Sequence, residues 1–340
     1  MVVWKQLPQN GDIPLARSSH QIVASPDGKQ LFIFGGEHAP RKPIDNKVHS
    51  YNIETGDWKV LDTTGDIPCP RQAATMAIVG GTLYLFGGRT EAEESTSLNE
   101  LHALGLGTLV WKQITSPNPP PQRNYHTMAA YNDQYLYVFG GCGQAGRLND
   151  LWCYDTNTHK WTQLPTHNAI KGRGGAGLAV SNDSLWVVGG FSGQEMNDVF
   201  KYDLSTQAWD AVADGGEGLL PAKKSIFGIA THVHASQSSS SSSSCECQHV
   251  NHIIVFGGEV EASDQGHAGA GQFSNDLYCF DAQKQSWHNL QPTNGNDDDI
   301  KCPESRGWMA ATSIPGRGVI IHGGVAESND RLGDLWLLEF

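Results

Sequence analysis

Residues 135–161 read YLYVFGGCGQAGRLNDLWCYDTNTHKW, and this stretch decides the fold. An apolar run from Leu136 to Phe139 ends in Gly140-Gly141, a polar loop follows, Asn149-Asp150 opens a second apolar run, and Trp161 closes the unit. Short apolar runs bounded by glycine and polar residues are strands rather than helices. The unit recurs. LFIFGG ends at Gly36, LYLFGG at Gly88, LWVVGG at Gly190, IIVFGG at Gly258 and VIIHGG at Gly324. Its second half returns as NKVHSYN, NELHAL, NDVFKYD, NDLYCFD and GDLWLLE, and its tryptophan as Trp58, Trp111, Trp209 and Trp287.

Self-similarity at a period of roughly 50 residues marks a repeat architecture, and the pattern resembles the kelch repeat, in which each unit is one four-stranded propeller blade. The six Gly-Gly strands predict an all-β, six-bladed kelch β-propeller spanning residues 1–340 as one domain. Paired glycines give each strand a tight exit where a side chain would clash with its neighbour. The sixth unit lacks its tryptophan strand. The missing piece stands at the other end, where Trp4-Lys5-Gln6-Leu7 matches Trp111-Lys112-Gln113-Ile114. The N-terminal strand is therefore expected to complete the last blade, closing the ring and removing its free sheet edge. Residues 236–249, with their serine run, are read as a disordered loop inserted in blade five. Within that tract Cys245-Glu246-Cys247-Gln248-His249 is too isolated to read as a zinc site.

Charge excludes several function classes. Lys+Arg 23 against Asp+Glu 36 leaves a net charge of −13, the wrong sign for a nucleic-acid protein or a polybasic membrane contact. No apolar run reaches the ~18 residues that span a bilayer. The first residues, MVVWKQLPQNGD, do not read as a secretory signal, and the 7 cysteines are read as reduced thiols, so a cytoplasmic location is expected.

A second repeat precedes each Gly-Gly strand: Pro14-x-x-Arg17, Pro68-x-x-Arg71, Pro120-x-x-Arg123, Ile170-x-x-Arg173, Pro221-x-x-Lys224 and Pro303-x-x-Arg306. These cations open the innermost strands and should share one face of the propeller. Two readings follow. They bond neighbouring carbonyls, or they form a positive mouth that holds a carboxylate, sulfate or phosphate. Arg89 adds a further cation, and Tyr125 and Trp308 are candidates for the pocket wall. The fifth loop, GGEVEASDQGHAGAGQFSND, holds Glu259, Glu261, Asp264 and His267, donors that suit Fe(II) or Mn(II) but also suit a solvated acidic loop.

At these residues the chain resembles the kelch specifier proteins of plant glucosinolate breakdown: the nitrile-specifier, epithiospecifier and thiocyanate-forming proteins. The resemblance rests on Arg17-x-x-His20, the Gly-Gly-Arg89 loop and the fifth loop with its Glu, His and Gly-x-Gly. In that family a Glu-x3-Asp-x3-His loop holds ferrous iron and an arginine assists the substrate. The resemblance implies Glu259 and His267 as ligands and Arg89 as the arginine. Ser263 stands at the middle position, with Asp264 next to it as the expected third donor. It further implies a lyase-like, iron-dependent activity on a sulfated thiohydroximate supplied by a myrosinase-type glucosidase, steering it to a nitrile. The alternative is a non-catalytic propeller that binds a protein or peptide partner at its loop face, since propellers host unrelated functions.

Overall fold

The computed structural model describes residues 2–91, 97–232, 252–266, 269–290 and 302–340. Among these residues each repeat folds as an antiparallel four-stranded blade, and six blades stand around a central channel. In blade three, Thr127–Tyr131, Tyr135–Gly143, Gly146–Asp155 and Lys160–Leu164 pair in that order from the channel outward. The innermost strands Gln21–Ala24, Thr75–Val79, Thr127–Tyr131, Gly177–Ser181, Gly228–His232 and Ala310–Ile314 each pack on two neighbours in a closed cycle. Helix among the described residues is limited to 3-10 turns, at Ala213–Gly215 and at Gly266, and none is long and apolar enough to cross a membrane.

The ring closes as the repeat offset predicts. Val3–Gln6 pairs antiparallel with Arg331–Glu339, with Trp4 opposite Leu338, and the Leu7 N–H reaches the Leu335 carbonyl at 2.9 Å. Trp4 fills the tryptophan position that the sixth repeat lacks, edge-on to Phe256 with ring centroids 5.0 Å apart. The core lies between blades. Ile33, Tyr51 and Trp58 of blade one meet Ile320, Leu335 and Leu337 of blade six, and Trp186 and Val188 of blade four meet Val255 and Phe280 of blade five. Sheets covered on both faces need apolar residues on both, which is why the Gly-Gly strands are continuously apolar rather than alternating.

The glycine pairs join one blade to the next. Gly35 and Gly36 have φ of +72° and +93°, and a Cβ on Gly35 would lie 2.5 Å from the Arg71 carbonyl oxygen of blade two. The Gly36 N–H donates to that same carbonyl at 3.0 Å, and the contact repeats around the ring until Gly324 donates to Arg17 at 3.0 Å. Residues 236–249, expected as a disordered loop, lie outside the described residues.

Candidate functional site

The repeated cations are latches inside the blades. Arg123 donates from Nε to the Pro121 carbonyl (3.0 Å), from Nη1 to the Gly140 carbonyl (2.9 Å), and from both terminal nitrogens to the Asp150 carboxylate (2.8 Å each). Arg173 and Arg306 repeat this fork on Asp198 and Asp334, and Arg71 places one nitrogen on Glu100 at 2.8 Å. Arg17 stands 3.7 Å from Asp45, and Lys224 bonds the Gly257 carbonyl and the Ser274 hydroxyl at 3.0 Å each. The side chains of Arg17, Arg71, Arg123 and Arg173 are fully buried and that of Arg306 almost so. The open positive mouth is thus corrected. Arg17, Arg71, Arg123, Arg173 and Arg306 face carboxylates of their own blades; at Arg71, Arg123, Arg173 and Arg306 a substrate anion would have to displace a hydrogen-bonded partner, whereas the Arg17 Nη2 stands 3.7 Å from Asp45 without a hydrogen bond.

Two residues beyond each latch the chain turns left-handed, at Ser19, Ala73, Tyr125, Gly175, Ile226 and Trp308. The Ser19 N–H donates to Trp308 (2.9 Å), Trp308 to Ile226 (3.0 Å), Ile226 to Gly175 (2.8 Å), Gly175 to Tyr125 (2.9 Å), Tyr125 to Ala73 (3.0 Å) and Ala73 to Ser19 (2.8 Å). These bonds form a closed collar around the axis. A φ of 47° is unfavourable for β-branched Ile226, and the ring of hydrogen bonds holds it there. Tyr125, Gly175, Ile226 and Trp308 line both a channel cavity of about 820 Å³ and a mouth cavity of about 190 Å³, so the collar is the floor of the mouth.

The residue after each Gly-Gly pair stands beside this floor: Glu37, Arg89, Cys142, Phe191, Glu259 and Val325. Each bridges the residue that follows a latch, as Gln72 with Arg89 and Ser225 with Glu259. The charges divide by side. Arg89 is 9% exposed, and its Nε finds no hydrogen-bond partner among the described residues. Arg331 lies 3.5 Å from Glu37, which also accepts the Arg41 N–H at 2.6 Å. Burial pushes the Glu37 carboxyl up, and the Arg41 N–H and the charges of Arg331 and Arg89 pull it back in part. Tyr125 is 3.3 Å from the Ser19 hydroxyl, and burial holds its phenol protonated. Across the ring the acidic side is built by blades four and five. Burial pushes Glu259 up to about 8, the charge of Glu195 adding to it, and pushes Glu195 up to about 7. The Ser225 hydroxyl and Arg147 counter the second shift in part, yet neither Glu195 oxygen makes a hydrogen bond.

The sequence candidates divide accordingly. Tyr125, Trp308 and Glu259 line the mouth cavity, joined by Cys142, Phe191, Arg147, Ser225 and Ser263. Arg89 is off the cavity wall, close enough to Tyr125 and Cys142 that its charge acts on both. Asp264 is exposed and absent from the wall, whereas Ser263 is on it, so the preference for Asp264 over Ser263 is corrected by the way the loop turns. His267 lies outside the described residues. Glu259 fits an iron ligand: it is a buried carboxyl on the cavity wall whose charged form is disfavoured by burial and by Glu195, with the Ser263 N–H countering in part, so that a cation would favour its ionised form. Among the described residues no three His, Cys, Asp or Glu side chains cluster to hold a metal. Glu37 is readable from sequence as a carboxylate of the loop after Gly35-Gly36, whereas Glu195, Arg331, Cys142 and Phe191 are missed. The offset of one from Gly-Gly finds Cys142 and Phe191. Glu195 and Arg331 sit across hairpins of unequal length, which no fixed offset finds.

The KLHDC2/KLHL20/DRC7 Kelch-repeats domain profile matches residues 2–117 and 27–235. The chain is 30% identical to the N-(sulfonatooxy)prop-2-enimidothioate sulfolyase of Thlaspi arvense, over 98% of this chain and 95% of that protein. It is 28% identical to the leucine-zipper-like transcriptional regulator 1 homolog of Drosophila melanogaster over 95% of its length, spanning 31% of that larger protein. A solved structure, that of YjhT, superposes over 98% of the chain with a TM-score of 0.71 at 17% identity, a likeness of fold alone.

Proposed function

This chain belongs to the kelch-repeat specifier-like proteins, and from that premise we propose that it directs a glucosinolate aglycone, a thiohydroximate-O-sulfate, to the nitrile with Fe(II) as cofactor. The observation that carries the reading is the asymmetric mouth. An unpaired arginine nitrogen stands on one side and a buried, poorly compensated carboxylate on the other, over an aromatic floor. The full-length similarity to a sulfolyase gives that asymmetry a substrate with an anionic end and a sulfur end.

Glu259, with His267 of the same loop, would hold the metal. When bound, ferrous iron supplies a thiophilic Lewis acid to the substrate's sulfur. Arg89 offers its free Nε to the sulfate and stabilises negative charge as the N–O bond breaks; the C–S bond breaks with it, so that the nitrile forms with release of sulfate, which takes the N–O electron pair, and of the sulfur as a zero-valent atom. Trp308 and Phe191 provide apolar walls that limit water. Tyr125, kept neutral by burial, donates its phenol hydrogen without adding charge near the leaving anion. We place the protein in the cytoplasm beside a myrosinase-type glucosidase, because the aglycone is unstable and must be met as it forms.

One observation favours a second reading, a mouth that binds a protein or peptide partner. Ser263 occupies the position where the resemblance calls for a carboxylate. Mixing the protein with a glucosinolate, myrosinase and Fe(II), and resolving products by gas chromatography, separates the two. Nitrile above the protein-free control is the expected result. Isothiocyanate alone at all Fe(II) concentrations overturns the catalytic reading and leaves the binding one.

A further inference from the structure

We infer that Glu195 and Glu259 together form the carboxylate pair of a divalent-cation site between blades four and five. The inference rests on the reading above and supplies the donor which the fifth loop lacks at Ser263. Glu259 is fixed by backbone bonds in both directions with Ser225 (2.9 and 3.0 Å), directly after the Gly257-Gly258 turn. Glu195 is fixed by register. It pairs with Phe191, the corresponding residue of blade four, which lines the mouth cavity. Directly opposed residues in an antiparallel pair present their side chains to the same face, with Cβ atoms about 5 Å apart. The strand Glu195–Asp203 also packs against Glu259–Glu261. Two acids from separate blades are therefore brought near one another, Glu259 on the wall of the mouth and Glu195 buried behind Phe191 and off that wall.

The second observation is the state of Glu195 itself. It is 7% exposed, and neither carboxylate oxygen has a hydrogen-bond partner. Burying a carboxylate with no donor is costly, and nearly all buried polar groups avoid it. The groups around the pair do not supply the missing donors. Arg147 lays its guanidinium over the Phe191 ring, 4.5 Å from the centroid, and makes no hydrogen bond to Glu195. Ser225 offers one hydroxyl. The mutual influence of the two acids, seen in the upward push of Glu195 on Glu259, agrees with their closeness. A single proton would neutralise one acid and leave the other charged. A dication compensates both and takes oxygen ligands, with the Ser225 and Ser263 hydroxyls close by on the cavity wall.

The test is a Mn(II) titration of the purified full chain, followed by electron paramagnetic resonance of free Mn(II), with melting temperature recorded alongside. Wild type is expected to bind one Mn(II). Glu195→Gln and Glu259→Gln should each weaken binding at least tenfold with melting temperature unchanged or raised, because each removes a buried carboxyl whose charged form burial disfavours. Glu195→Asp, which keeps the charge on a shorter arm, should lose less, and covers the case in which the amide fails to fold. Asp264→Asn should stay within twofold of wild type. A Glu195→Gln protein that binds Mn(II) as wild type does, or a wild type that binds none, overturns the pair. Product analysis with Fe(II) is scored separately. Nitrile formation alongside either result leaves the proposed function standing, and its absence removes that function whatever Mn(II) does.

Discussion

Arg123 shows how one side chain serves the fold while reading as a functional residue in the sequence. Its repeat spacing put it at the start of an innermost strand, which is correct. What spacing could not show was the partner: Asp150 is distant in sequence but lies midway along the third strand, Gly146–Asp155, so the guanidinium spans the intervening strand at Gly140. Both halves of the latch were legible as separate repeats, and only the fold joins them. Removing the arginine takes the guanidinium from the Gly140 carbonyl and leaves the largely buried Asp150 carboxylate with the Trp152 indole N–H (2.6 Å) in place of a charged fork. Arg123→Ala is expected to lower stability by about 3–5 kcal/mol, the usual consequence of orphaning one partner of a buried pair. Urea unfolding checks this. A loss under about 1 kcal/mol, the range of a surface pair, would return Arg123 to the list of site residues.

At the scale of the strand, the N-terminal segment is the most informative. Its tryptophan matched the outer strands of other repeats, and this alone placed it on blade six. The structure pairs it where that match requires, Trp4 against Leu338 and Gln6 against Trp336. Without it, the Arg331–Glu339 strand would present an unpaired edge and the Phe256 ring would lose its edge-on neighbour. Deleting residues 1–7 should produce a protein that aggregates or melts well below the full chain, measured by light scattering and thermal unfolding. A monomer with unchanged melting would contradict closure by this strand. The loops were less legible than the strands. Strands are set by a period-based apolar code, whereas the fifth loop is set by local turns such as the Ser263 hydroxyl accepting the Gln265 N–H at 3.1 Å. That turn helps fix which of Ser263 and Asp264 meets the cavity, and sequence spacing does not encode it.

At the scale of the whole molecule, the propeller divides its polar residues into two sets. The latches and the collar are hydrogen-bonded in closed cycles and hold six blades in register. The residues around the mouth stand outside that frame: Arg89, one position beyond Gly-Gly, has an unpaired Nε on one side, and on the other stand Glu259, at the same offset in blade five, and Glu195 across the blade-four hairpin, whose oxygens make no hydrogen bond. We propose that this polarised mouth steers a sulfated thiohydroximate to a nitrile. The most direct test is the nitrile share of products, by gas chromatography, formed with Fe(II) by wild type and by Arg89→Gln at matched folding. The wild-type nitrile share is expected to rise with Fe(II) and fall with chelator, and Arg89→Gln to reduce it about tenfold or more, as loss of one charge-stabilising donor entails. Equal nitrile shares for the two proteins, or a share that does not respond to Fe(II), would contradict it.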